Sequence, residues 1–178
     1  MSHPWRSEPG ITLLAPVTTV EQAAAAAAAG AALVDAGPNG ALVPAIRRAV
    51  SGLRVCGQHE SADVVRDADL AARGGAALIC PGPDTAAAAV RRGVAAERIL
   101  VQAAPAGIQP AVRAGWSVLA DLEGLDGRAR TEAVAAVCAW LGARVLRTRY
   151  LAEVRRCADM TESILGRRPP AWAVRGLA

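Results

Sequence analysis

The chain has no lysine and no phenylalanine in its 178 residues, and only two histidines and one tyrosine. Without lysine, Schiff-base chemistry and a phosphate-binding loop built on a lysine are both excluded. Any anion must be met by arginine, whose planar fork of donors suits phosphate and carboxylate. Aromatic residues make up 3% of the chain, and the net charge of +4 comes from scattered arginines with no dense basic block. There is little to stack on bases, so nucleic-acid binding is not expected. The four cysteines, Cys56, Cys80, Cys138 and Cys157, form no CxxC pair or other compact ligand spacing, which argues against a metal site and for reduced thiols in a cytoplasmic protein. The longest apolar run, Ala23 to Val34, is shorter than the ~17 residues of a membrane-spanning helix, and the acidic Glu21 precedes it where an export signal carries positive charge.

What is present is regular. Short Val, Ile and Leu runs alternate with alanine-rich helical stretches, and glycines mark the junctions. Strands are expected at 11–16, 31–36, 53–57, 76–81, 98–104, 116–122 and 144–149, with helices near 18–29, 41–51, 61–74, 84–93, 107–114, 130–142 and 151–165. Strands without polar alternation need cover on both faces, which implies a parallel α/β architecture. No glycine-rich phosphate loop follows the first strand, so a TIM-barrel-like (β/α) barrel of about seven βα units is favoured over an open dinucleotide-binding sheet. One domain is expected at 11–166, with tails at 1–10 and 167–178 and Trp172 available to dock the second tail. The helix after the first strand is apolar nearly all round, which means either cover on several sides or an exposed alanine surface.

In such a barrel the chemistry gathers where the strands end. The candidates there are Asp35, Cys56 with His59 beyond it, Cys80, Gln102, Asp121 with Glu123, and Arg147 with Arg149. Asp35 is a candidate for chemistry or the cap of the turn "GPNG". Cys56 is a nucleophile candidate or a buried small hydrophobe, and His59 a general base or a solvated loop residue. In "GARVLRTRY" (142–150) the two-residue strand repeat puts Arg147 and Arg149 on one face. They read as a seat for an anionic ligand, or as ion-pair partners of Asp35 or Asp121 across the barrel mouth.

The segment "GARVLRTRYLAEVRRCADM" resembles the last strand and helix of dihydropteroate synthase, the enzyme that joins a pterin pyrophosphate to 4-aminobenzoate. "AGAALVDAGPNG" is similar to that family's second strand and glycine-bearing loop, and "GVAAERILVQAAPAG" to the approach to its sixth. The resemblance implies that Arg147 matches the family's pyrophosphate-binding arginine, with Arg149 where the family has histidine. It also exposes departures. Ala15 stands for an asparagine, Cys56 or Gly57 for the pterin-reading Asp, Cys80 for an Asn of the fourth strand, Gln102 for an Asp of the sixth, and "ADLEG" replaces the family's lysine strand.

A pterin's paired N–H donors need a carboxylate, and burying them without one costs several kcal/mol. The family's barrel also takes about 250 residues, so one βα unit is expected to be missing between Cys80 and Ile99, leaving an exposed strand edge. Together these readings imply a diverged protein of the pterin-binding type without synthase activity. It would serve as a non-catalytic or partner subunit with a residual anion site formed by Arg147 and Arg149 and a pocket of Asp35, Cys80, Gln102 and Asp121. The alternative is a transferase-like enzyme of altered specificity, using Asp35, Cys56 or His59 on a small phosphorylated or carboxylated metabolite. No cofactor is expected unless pyrophosphate binding survives with its magnesium ion. The resemblance implies a homo-oligomer, or a heterodimer with a barrel partner, formed through late helices that include Trp140.

Overall fold

In the computed structural model, which describes residues 10–168, eight parallel strands close into a barrel. The strands are β1 (Thr12–Pro16), β2 (Leu33–Asp35), β3 (Arg54–Cys56), β4 (Val64–Val65), β5 (Ala77–Cys80), β6 (Ile99–Gln102), β7 (Ser117–Asp121) and β8 (Val145–Arg147). The helices are α1 (Val20–Ala28), α2 (Leu42–Ala49), α3 (Ala68–Gly74), α4 (Pro83–Arg91), α5 (Pro105–Arg113), α6 (Arg128–Leu141) and α7 (Leu151–Ile164). The expected seven helices are therefore present, and the barrel is of the expected class. Residues 1–9 and 169–178, including Trp172, lie outside the described residues.

Three expectations are corrected. No unit is missing between Cys80 and Ile99: β5 and β6 pair directly, Leu78 against Ile99, with α4 as their crossover. The shortened unit lies earlier, where β3 runs into β4 through a loop at 57–63 that contains no helix. β4 was hidden because two valines in the polar stretch "ESADVVRDAD" show no strand period, and helix was expected from 61. The helix instead starts at Ala68, where the Asp67 side chain accepts the Leu70 N–H at 2.8 Å. The expected open edge is absent too, because β1 pairs with β8 (Leu13 against Leu146) as well as with β2. Closure gives every strand two neighbours.

Strand alternation sorts the core into two layers. Leu14, Leu33, Cys56, Val64, Ile79, Leu100, Leu119 and Val145 form one cluster that fills the lumen. The intervening residues, such as Leu13, Val34, Leu78, Val101 and Leu146, join a second cluster with the helices. Burying each large aliphatic side chain contributes about 2 kcal/mol. Helix α1 shows how little cover alanine needs. Only Ala23 and Ala26 are buried, so the alternative of an exposed alanine surface is the one observed. High intrinsic propensity and the Thr19 cap, which accepts the Gln22 N–H at 3.2 Å, support the helix instead.

Candidate functional site at the barrel mouth

The lumen residues fix which side chains face the mouth, because the next residue of the same parity on each strand lies one step further along. On seven strands these positions are Pro16, Asp35, Arg66, Pro81, Gln102, Asp121 and Arg147, and on β3, which ends at Cys56, that lumen residue is itself the eighth. Four of the eight are charged, and three ion pairs join them into a chain across the opening.

Asp35 is the centre of that chain. Its side chain is 2% exposed. Oδ2 accepts from Arg147 Nε at 3.0 Å and from Arg66 Nη2 at 2.8 Å, and Oδ1 accepts from the Gly37 N–H at 3.0 Å. The turn-capping role and the ion-pair role expected from the sequence are thus both filled, one by each oxygen. Arg147 turns its Nη1 to both oxygens of Asp121, 3.2 Å from each. Burial pulls the Arg147 guanidinium down, but Asp121 and Asp35 outweigh it and leave its pKa raised. Arg147 is therefore a permanent cation clamped between two carboxylates, which is the cross-mouth pairing that stood as the alternative to a free anion seat.

Arg149 lies beyond the end of the strand and has a carboxylate partner of its own. β8 ends at Arg147, and Thr148 is buried with its N–H on the Leu14 carbonyl. The Thr148 hydroxyl then accepts the Tyr150 N–H at 3.0 Å where the chain turns into α7. The Arg149 side chain is exposed, 3.8 Å from Glu123 Oε2 and above the Tyr150 ring, and its backbone N–H is held by Glu123 Oε1 at 2.6 Å.

Cys80 also lies elsewhere. Ala77 and Ile79 of β5 face the lumen, so Cys80 faces the helices in the outer core layer, and Pro81 takes the mouth position. Ala15 is likewise in the outer layer, and Pro16 brings no hydrogen-bond donor to the mouth. With β4 counted, the mouth position of the fourth strand is Arg66, and Cys80 belongs to the fifth. A helix over 61–74 takes Arg66 out of the sheet, whereas "VVR" (64–66) repeats the pattern of "VLR" (145–147): two strand residues, then an inward arginine.

Cys56 does face inward. Burial first, and then the neighbouring Asp35 charge, push its thiol up to about 12. It stays protonated at neutral pH. His59 is held in the 57–63 loop, where Nδ1 accepts the Ser61 N–H at 3.1 Å and lies 2.8 Å from the Ser61 hydroxyl. Its ring secures a turn.

Two hollows flank the clamp. One, of about 150 Å³, is lined by Asp35, Gly37, Pro38, Cys56, Gly57, Gln58 and Arg66. The other, of about 320 Å³, is lined by Pro81, Gln102, Ala103, Ala104 and Asp121. The first is shaped by backbone approach: a Cβ on Gly57 would meet Val43 Cγ2 at 2.6 Å, and one on Gly40 would meet the Gln58 carbonyl oxygen at 2.5 Å. A magnesium ion does not fit this donor set. It requires open oxygen ligands, whereas Asp35 and Asp121 already spend their oxygens on arginine and backbone N–H groups. Among the described residues, no group of three or more His, Cys, Asp or Glu is placed to hold a metal.

This closed barrel is a dihydropteroate synthase-like fold, as comparison with solved structures shows. It is similar to Mycobacterium tuberculosis Rv1207, with a TM-score of 0.76 and 24% identity over 92% of this chain and 95% of that one. Dihydropteroate synthase from Vibrio fischeri gives a TM-score of 0.73 at 12% identity, covering 90% of this chain and 95% of that one. The synthase from Thermus thermophilus gives 0.72 at 18%, covering 88% and 94%. No protein-family model matches the sequence, and neither does any curated protein.

Proposed function

We propose that this barrel does not perform the synthase reaction and acts as a non-catalytic, ligand-binding or partner subunit. The observation that carries this reading is the clamp on Arg147. The arginine that would meet a pyrophosphate already has Asp35 on one edge and Asp121 on the other. A phosphoryl group arriving there has to displace carboxylates and then sit beside them. The replacement of the resembled pterin-reading positions by Cys56 and Gln102 supports the same reading, since neither supplies an ionised carboxylate. The protonated Cys56 thiol weighs against a covalent enzyme of altered specificity.

Partner binding is supported by an apolar strip on the last two helices. Trp140 of α6 and Met160 and Ile164 of α7 are 56%, 58% and 66% exposed, beside an exposed Val137. Such a patch suits an interface between copies of this chain or with a related barrel. The four cysteines are unpaired, which supports a reducing, cytoplasmic setting, and no helix among the described residues is long and apolar enough to cross a membrane.

The test is direct. The purified chain is incubated with pterin pyrophosphate, 4-aminobenzoate and magnesium, and dihydropteroate is measured. The expected result is no product above background. Turnover that disappears in Arg147→Ala would overturn the proposal. Light scattering on the native chain and on Trp140→Glu tests the interface, with a dimer for the first and a monomer for the second as the expected pair.

A further inference from the structure

We infer that Arg66 is the residue by which this mouth takes a ligand, and that the ligand group it takes is an oxyanion, a carboxylate or a phosphate. The inference rests on the reading of the mouth as a ligand seat and assigns that seat to the hollow lined by Arg66.

The argument is one of which arginine can be lent. Arg147 cannot, because releasing it strips a partner from Asp35, which is almost fully buried, and from Asp121 at the same time. Leaving a buried carboxylate uncompensated is among the costliest changes a site can undergo. Arg149 is already engaged by Glu123 and lies over Tyr150, and it lines neither hollow beside the clamp. Arg66 differs from both. It gives only Nη2 to Asp35, its side chain is 37% exposed, and it lines the hollow of about 150 Å³ with Cys56, Gly57 and Gln58. Among the described residues its Nε and Nη1 have no hydrogen-bond acceptor.

A guanidinium presents two edges. One edge can remain on Asp35 while the other receives two ligand oxygens. If Arg66 lets go altogether, Asp35 keeps Arg147 and the Gly37 N–H. The hollow is comparable to a ~150 Å³ cavity that holds a benzene-sized guest, so it admits one oxyanion head or a small ring. The four mouth charges, Asp35, Asp121, Arg66 and Arg147, sum to zero. Binding of an anion is therefore weak and falls with added salt.

The experiment follows the arginine Nε–H signals by NMR in the full chain during separate titrations with inorganic phosphate and sodium acetate. At least one anion is expected to shift the Arg66 signal saturably, and the anion that does so identifies the group. Arg66→Gln should weaken that binding about tenfold or more, Arg66→Lys should recover part of it, and Arg149→Gln should leave it unchanged. Arg66 is half-exposed, and circular dichroism confirms that each variant is folded. Binding that is indifferent to Arg66→Gln, or that is lost in Arg149→Gln, overturns the assignment while leaving a ligand seat. No saturable shift with either anion overturns the seat as well. Neither result depends on the synthase assay, so the absence of catalysis stands or falls separately.

Discussion

Replacing Asp35 by asparagine separates two roles that the same residue fills. Oδ1 holds the Gly37 N–H at 3.0 Å, a bond that an asparagine carbonyl makes equally well. Oδ2 holds Arg66 and Arg147 at 2.8 and 3.0 Å in a side chain that is 2% exposed. Each of those bonds is charge-assisted and contributes about 1.5–3 kcal/mol. The full loss is not expected: Arg147 keeps Asp121, Arg66 regains water, and the amide retains one neutral hydrogen bond. Asp35→Asn should therefore cost about 2–4 kcal/mol, which lowers Tm by about 5–15 °C in a chain of this size. Urea unfolding followed by far-UV circular dichroism measures the difference. A double-mutant cycle with Arg147→Gln should return a coupling of about 1–3 kcal/mol. A loss below about 0.5 kcal/mol, with no coupling, would mean that Asp35 serves only its turn and that the clamp contributes nothing, and the case against a free pyrophosphate seat would fail with it.

Thiol titration gives a second prediction. At pH 8 a disulfide reagent should modify Cys157 first and leave Cys56 unreacted until the chain unfolds, because Cys56 is fully buried and its thiol is pushed up to about 12. The sign of the linked stability follows. Below the ordinary thiol pKa of ~9 both states are protonated; above it the unfolded chain loses the proton and the folded one does not. Stability should thus fall as pH rises from about 9 to 12, and Cys56→Ala should lessen that fall. Rapid labelling of Cys56 in the folded protein would refute the argument. Third, Gly57→Ala should lower stability by about 1–3 kcal/mol, because the added Cβ would lie 2.6 Å from Val43 Cγ2. Thermal unfolding of that variant beside Gly82→Ala, whose Cβ meets nothing within 4 Å, provides the measurement and its control.

The parts of this fold legible in the sequence are those with enough residues to carry a period. Seven of the eight strands and all seven helices have runs of Val, Ile, Leu or Ala long enough to show their alternation with glycine stops, and apart from the later start of α3 at Ala68 they lie where those runs place them. β4 has two residues and a single register pair with β3, Cys56 against Val64, so it has no period to detect. It is defined by its neighbours' unpaired backbone groups instead of by its own side chains. Missing β4 carried over directly into the site. Without it Arg66 belongs to a helix, Asp35 lacks its second arginine, and the fourth-strand position slides to Cys80, which faces the helices.

The arginine pair shows the complementary limit. The two-residue repeat placed Arg147 correctly because its neighbours on β1 and β7 hold it in the sheet, Leu14 on one side and Asp121 on the other. The strand itself stops short of Arg149, where Thr148 and Tyr150 close a turn through the threonine hydroxyl, a local bond that competes with continued strand. Position and partner are also different questions. That Arg147 faces the mouth follows from alternation within one strand, whereas its occupation depends on Asp121, 26 positions away and brought within 3.2 Å by β7–β8 pairing, and on Asp35, 112 positions away and brought close by barrel closure. An inward arginine on the last strand is therefore not enough to identify an anion seat. The charges on the strands beside it decide whether it is free to bind.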